Sequence, residues 1–296
     1  MLRPARFRRS RILIVGCGDV GVRLARLMTP HCRVLALTST PARQAALRAQ
    51  GVVPLLGNLD EARSLGRLAG LADRVVHLAP PPSGGDSDPR TVNLLRALAR
   101  RGQVRSLVYG STTGVYGDAQ GQWVDETRSL APQTDRARRR VAAERAVRQG
   151  EGGTRGCVLR IPGIYALDRE GGDPRDRVRR GAPVLQPADD VHTNHIHADD
   201  LARACWLAAW RGRPSRVVQV CDDQTVPMGD YFDLVADLAG LARPLRLSRA
   251  EATRQLSPIQ MSFLSESRRL RNQRLKTELR LQLRYPTVRE AFAAQA

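Results

Sequence analysis

The sequence predicts an α/β protein built on a doubly wound parallel sheet, with a smaller C-terminal region facing the substrate. Three observations predict it. Short apolar runs alternate with amphipathic stretches, a glycine-rich turn follows the first run, and later runs end in polar or proline-rich loops. The chain has 296 residues and is 42% apolar, which is ample for one large core.

Ile12-Leu13-Ile14-Val15 is the first buried strand and runs straight into Gly16-Cys17-Gly18-Asp19-Val20-Gly21. In that pattern the first glycine makes a tight turn, the second lets the backbone approach a pyrophosphate, and the third lets the next helix pack on the sheet. Val20, Leu24, Leu27 and Met28 recur at helical spacing until Pro30 stops them, so a helix of about two to three turns begins here. Its free N–H groups face an anion. A Rossmann-type dinucleotide site cradled by Gly16, Gly18, Asp19, Val20 and Gly21 is the expectation.

Val34-Leu35-Ala36-Leu37 is the second buried strand. Where an acidic residue would hold the ribose 2′-hydroxyl of NAD, the chain has Thr38, Ser39 and Thr40, with Arg43 one turn on. Hydroxyls and a guanidinium suit a 2′-phosphate and favour NADP, with NAD the alternative. The same residues also read as helix capping, Thr40 as N-cap and Pro41 at the first helical position.

Val52 to Leu56 is a third strand ending in the polar loop Gly57-Asn58-Leu59-Asp60, and Arg74 to Ala79 is a fourth. The run from Pro80 to Gly85 continues neither strand nor helix and makes a loop above the sheet edge. Asn58, Leu59, Leu78, Ala79 and Pro80 thus fall at the carboxyl ends of strands, where the ligand of such a sheet belongs. Thr91 to Arg100 is a helix, and Ser106 to Tyr109 a fifth strand. Gly110-Ser111-Thr112-Thr113-Gly114-Val115-Tyr116-Gly117-Asp118 follows at that strand's carboxyl end.

In the second half, His195-Ile196-His197 alternates like a short strand with both histidines on one face. His192, His195, His197, Asp199 and Asp200 have no HExxH or other ligand framework, so no metal site is expected. Asp199 or Asp200 caps a helix from Leu201 to Trp210 instead, and His195 has a side chain suited to carrying a proton. Val217 to Val220 is another strand and Met228 to Leu241 a helix. Leu256 to Leu283 reads as C-terminal helices covering the substrate side.

Composition narrows the rest. Five cysteines are scattered without a CxxC pair, so reduced, mostly buried thiols are expected rather than a disulfide scaffold or zinc site. No apolar run approaches the roughly 18 residues needed to cross a bilayer, and the basic N-terminus lacks the apolar stretch of a secretory signal. The expectation is a cytoplasmic protein without a membrane partner. Net charge is +19, with Lys276 the single lysine. The arginines are spread from Arg3 to Arg289, and aromatic residues, 4% of the chain, do not interleave with the clusters at 136–140 and 268–274. Salt-sensitive attraction to polyanions follows, but no specific nucleic-acid partner.

The segment Ser111-Thr112-Thr113-Gly114-Val115-Tyr116-Gly117, together with the glycine turn, Arg160-Ile161-Pro162-Gly163-Ile164-Tyr165, Asn194 to Leu201, Arg274-Leu275-Lys276 and Tyr285-Pro286, resembles the short-chain dehydrogenase/reductase superfamily. The likeness is to its extended and atypical members of the NAD-dependent epimerase/dehydratase type. The GxGxxG spacing, one residue shorter than in most extended members, is similar to the YeeZ-like subgroup. The resemblance implies a Rossmann core over 11–166 behind a basic tail at 1–10, and a substrate-facing region over 167–296 of which 192–222 partly rejoins the core. It implies that Thr112 hydrogen-bonds the reacting oxygen, that Pro162 lines the nicotinamide and that Asn58 lies near the adenine. Thr112 otherwise satisfies local backbone, and Tyr116 is either a proton carrier or a packing residue. Pairing through helices into a homodimer is also implied.

One departure matters. The superfamily's Tyr-x-x-x-Lys pair shares a helix face, and the lysine lowers the phenol's pKa so that it passes a proton while hydride moves. Counting back from Ala142-Ala143-Glu144 puts Arg136 at the tyrosine position and Arg140 at the lysine position. A guanidinium does not donate a proton at neutral pH, although Arg140 still suits a ribose or phosphate. Two functions follow. The first is an NADP-dependent oxidoreductase or epimerase/dehydratase using Thr112 on a small carbonyl or nucleotide-sugar substrate. The second is a catalytically silent dinucleotide sensor.

Overall fold

The computed structural model describes residues 9–101, 104–151 and 153–294. The first half runs β1 (Arg11–Val15), α1 (Asp19–Met28), β2 (Arg33–Thr38), α2 (Arg43–Ala49), β3 (Val53–Leu56), β4 (Arg74–His77), α3 (Pro89–Ala99), β5 (Ser106–Thr112), β6 (Trp123–Val124) and α4 (Asp135–Gln149). Then come β7 (Cys157–Ile161), β8 (Gly163–Tyr165), α5 (Pro174–Arg179), β9 (Val184–Leu185), β10 (His192–Thr193), β11 (His195–His197), α6 (Ala198–Arg211), β12 (Val217–Gln219), β13 (Val226–Pro227) and α7 (Met228–Ala239).

Seven strands form one parallel sheet in the order β12-β7-β5-β4-β1-β2-β3. The strand order reverses between β1 and β4, and the crevice above that point is where a doubly wound sheet takes its ligand. Both faces are covered, so the strands are apolar throughout rather than alternating. Ile12 and Ile14 join one core with Leu24, Leu201 and Cys205 under α1 and α6. Leu13 and Val15 point the other way, into a core with Leu65, Leu94 and Val147. A separate cluster of Tyr165, Val184, Tyr231, Val235 and Val288 holds α5 and α7 together beside the carboxyl edge of the sheet.

Sequence signals account for most boundaries. Asp88 accepts from the Thr91 N–H with Pro89 at the first helical position of α3, and Thr134 accepts from the Ala137 N–H to start α4. Several expectations are corrected. The fourth strand stops at His77, because the N–H groups of Leu78 and Ala79 both turn to the Val15 carbonyl. Thr40 does not cap α2: the helix starts at Arg43, and the Thr40 N–H bonds Thr38 Oγ1. The cap of α6 is His197, whose Nδ1 accepts from the Asp199 N–H; Asp200 is fully buried and accepts from the N–H groups of Arg284 and Tyr285. The C-terminal stretch is only partly helical. Arg269–Leu270 pairs with β6, and Leu275, Leu279 and Leu281 enter the core under α1 and α6, away from the substrate side.

All five cysteines are unpaired and buried, and burial pushes the Cys17 thiol up to about 11 and those of Cys157 and Cys205 to about 12. Among the described residues, no helix is long and apolar enough to cross a membrane and no cluster of His, Cys, Asp or Glu could hold a metal.

Candidate dinucleotide and substrate clefts

The glycine turn is built as a cradle. Gly16 has φ +85°, and a Cβ there would sit 2.3 Å from the Ala79 backbone nitrogen, so the end of β4 presses on it. A Cβ on Gly21 would meet the Gly16 carbonyl at 3.1 Å, which lets α1 lie close to the turn. Gly18 differs: among the described residues nothing lies within 4 Å of where its Cβ would be, so this side of the turn faces open space. Gly18 is also the N-cap of α1 and supplies no side-chain acceptor, leaving first-turn amides aimed at the crevice. Those features fit a dinucleotide pyrophosphate.

The crevice holds about 270 Å³ and is walled by Gly16, Gly18, Asp19, Val20, Gly21 and Leu78 at one end and by Thr112, Arg140, Ile161 and Pro162 at the other. Asp19 would oppose an anion, but Arg23 Nε (3.2 Å) and Arg169 Nε (3.2 Å) neutralise it. Arg23 also reaches Asp199 at 2.6 Å and Asp168 at 2.7 Å, tying α1 to α6 and to the 166–174 loop. The residues that follow β2, Ser39, Thr40 and Pro41, include no carboxylate. Thr38 Oγ1 is taken by Thr40, Ser39 is exposed, and Arg43 Nη2 donates to the Cys17 carbonyl at 2.6 Å, placing a guanidinium against the glycine turn.

Other expected residues stand apart from the crevice wall. Asn58 is engaged locally, its Nδ2 on Glu61 and its Oδ1 accepting from the Asp60 N–H, and Leu59 belongs to the core. Ala79 is buried against Gly16, and Pro80 is exposed with its carbonyl accepting from Arg90. Arg90 pairs with Asp60 at 2.6 Å, linking the loops after β3 and β4.

A second cleft of about 430 Å³ adjoins the first and shares Thr112, Arg136 and Pro162 with it. Thr134, His192, Thr193, Asn194, Met228, Glu266 and Arg268 complete most of its wall. Thr112 therefore stands where both clefts meet. Its Oγ1 accepts a long 3.3 Å bond from the Gly114 N–H, so the hydroxyl serves local backbone while facing the cavity.

Arg140 also faces the crevice. Its Nη1 donates to Tyr109 Oη at 3.0 Å and the Gly110 carbonyl at 2.8 Å, while its buried Nε has no hydrogen-bond partner among the described residues. Tyr116 does not reach either cleft. It is 1% exposed, its hydroxyl accepts from Arg160 Nη1 at 2.8 Å, and burial pushes its pKa up to about 12, so the packing alternative describes its surroundings. No tyrosine lines either cleft among the described residues. His195 is stacked on Tyr231 at 3.9 Å, lies outside the described walls of both clefts, and is pushed down to about 3 by burial. His192 is the histidine that the fold brings to the second cleft, held neutral at pH 7 because burial lowers its pKa.

Behind Thr112 lies a feature that sequence reading missed. Ser111 Oγ donates to Glu144 Oε1 at 2.6 Å, and Arg160 Nη2 meets Glu144 Oε2 at 2.7 Å, with both charged side chains 2% exposed. The signal was present: Arg160 interrupts an apolar strand, and Glu144 sits among the buried positions Ala143 and Val147 of α4. Charges so placed need each other.

The family model of the NAD dependent epimerase/dehydratase family matches residues 12–221. Protein YeeZ of Escherichia coli (strain K12) is 25% identical over 246 residues, covering 79% of this chain and 86% of its own. A functionally unknown conserved protein of Silicibacter pomeroyi DSS is 32% identical, with a TM-score of 0.81 over 96% of this chain and 97% of the other. UDP-glucuronic acid 4-epimerase of Bacillus cereus, solved with UDP-glucuronic acid and NAD, shares the fold at 17% identity and a TM-score of 0.74, covering 97% of each chain.

Proposed function

The chain belongs to the NAD dependent epimerase/dehydratase family, and on that premise we propose that it binds NADP in the first cleft and acts as an oxidoreductase or epimerase/dehydratase on a small carbonyl compound or nucleotide sugar in the second. The observation that carries this reading is the junction. A glycine cradle open at Gly18 leads to Thr112 and Pro162, and there the crevice meets a separate cavity large enough for a small molecule. NAD in complex with the fold-related Bacillus cereus epimerase supports a pyridine dinucleotide. Arg43 and the missing acid after β2 favour the 2′-phosphate form.

When bound, the dinucleotide supplies a hydride donor or acceptor. The chain's own residues do the remainder. First-turn amides of α1 would hold the pyrophosphate, and the pairing of Asp19 with Arg23 and Arg169 would keep its carboxylate from repelling it. The free Nε of Arg140 is available to a ribose hydroxyl or phosphate. Thr112 Oγ1 orients the reacting oxygen, and neutral His192, on the wall of the same cavity, exchanges the proton that a tyrosine would otherwise carry.

A second reading, a dinucleotide sensor without turnover, is favoured by the absence of any phenol from the described cleft walls and by Arg136 in the tyrosine's place. One experiment separates them. Purified protein is screened for NADPH oxidation and NADP+ reduction against carbonyl and nucleotide-sugar panels, with Thr112→Ala and His192→Gln alongside. Turnover reduced at least about a hundredfold by both substitutions supports catalysis. Tight dinucleotide binding with no turnover on any compound supports the sensor.

A further inference from the structure

Arg136 is an exposed residue in the first turn of α4 and lines both clefts. Its neighbours are committed: Arg138 pairs with Asp135, Arg139 donates to the Gly85 carbonyl, and Arg140 to Tyr109 and Gly110. Arg136 has no ion pair or hydrogen bond among the described residues, and the adjacent acid, Asp135, is occupied by Arg138. The other charges of the second cleft cancel. Arg268 and Glu266 form a pair at 2.7 Å, both largely buried, and Arg268 also donates to the Gly117 carbonyl. His192 is held neutral at pH 7. The cavity thus carries one uncompensated positive charge, beside threonine hydroxyls at 112, 134 and 193.

We infer that the second cleft takes a small molecule bearing a carboxylate or phosphate, and that the Arg136 guanidinium binds this anion where the cleft meets the dinucleotide crevice, beside Thr112. The planar fork of arginine suits bidentate capture of either group, and a partly enclosed cavity strengthens the interaction relative to open solvent. A cavity of about 430 Å³ fits a compact acid or sugar acid. The replacement of tyrosine by arginine then has a positive consequence: a proton-donating position has become one that selects substrates by charge. This inference rests on the two-cleft reading of the site.

The test is a ligand-observed NMR titration at physiological ionic strength, using malonate and inorganic phosphate as probes and malonamide as the uncharged control. Wild type, Arg136→Gln and Arg136→Lys are compared, with and without NADP+. The expected result is binding of both anions to wild type, a loss of about tenfold or more in Arg136→Gln, an intermediate value in Arg136→Lys, and no measurable binding of malonamide. Equal anion affinity in wild type and Arg136→Gln, or malonamide binding as well as malonate, overturns the inference. So does a wild type that binds neither anion. In titrations without NADP+ the difference between wild type and Arg136→Gln isolates the second-cleft site from the empty glycine cradle, so a chain that takes malonate in an Arg136-dependent way but never binds NADP+ refutes the cofactor reading and sustains the anion site.

Discussion

Replacing Glu144 by alanine removes the carboxylate that neutralises Arg160 in the interior. Glu144 accepts from Ser111 Oγ at 2.6 Å and from Arg160 at 2.7 Å (Nη2) and 3.1 Å (Nε), and each charged side chain is 2% exposed, so the pair is shut off from bulk solvent. The guanidinium retains only the 2.8 Å bond to Tyr116 Oη, and breaking one half of a buried pair costs about 3–5 kcal/mol. For a chain of this size that is roughly 6–15 °C in Tm, taking about 2–3 °C per kcal/mol. Urea unfolding followed by circular dichroism gives the free energy, and calorimetry gives Tm. Glu144→Leu combined with Arg160→Met removes both charges and is expected to recover most of the loss. A Glu144→Ala cost below about 1 kcal/mol, or a double variant less stable than either single one, refutes the account of this pair.

Further outcomes follow from other sites. Gly16→Ala forces a Cβ to 2.3 Å from the Ala79 nitrogen at φ +85°, and is expected to lose at least about 2 kcal/mol in chemical denaturation. Gly18→Ala meets no protein atom within 4 Å, so it should leave Tm within about 2 °C while weakening NADP+ binding about tenfold or more by calorimetry. Burial holds His77 and His195 down at about 3, below their ordinary 6.5, so the unfolded chain binds more protons in this window. Stability is therefore full above pH 6.5 and falls as pH drops towards 3, which denaturation midpoints measured across that range will show; a flat profile contradicts it. Arg43→Gln is expected to lower NADP+ affinity about tenfold and leave NAD+ affinity nearly unchanged, read by fluorescence titration.

The sheet was legible because its signals are local. Each parallel strand is a short apolar run, and Gly16, Gly18 and Gly21 encode their own geometry. Thr112 and Pro162 were read as site residues from the ordered segments around them, and in the structure both line the two clefts. What escaped depends on long-range packing. Residues 195–197 alternate as read, but only the fold seals His195 against Tyr231 and brings His192 to the cavity. The capping role fell to His197 because Asp200 was drawn inward by the backbone of Arg284 and Tyr285, some eighty residues away. Leu275 to Leu281 carried a helical pattern, yet the hydrophobic surface of α1 and α6 captured these leucines and broke it into short pieces.

Isothermal titration of the purified chain with NADP+, NADPH, NAD+ and NADH addresses the central claim most directly. Saturable one-to-one heats for the NADP forms, weaker ones for the NAD forms, and an affinity lowered about tenfold or more in Gly18→Ala are the predicted result. No heat with any of the four nucleotides, in a chain that still unfolds cooperatively, contradicts it.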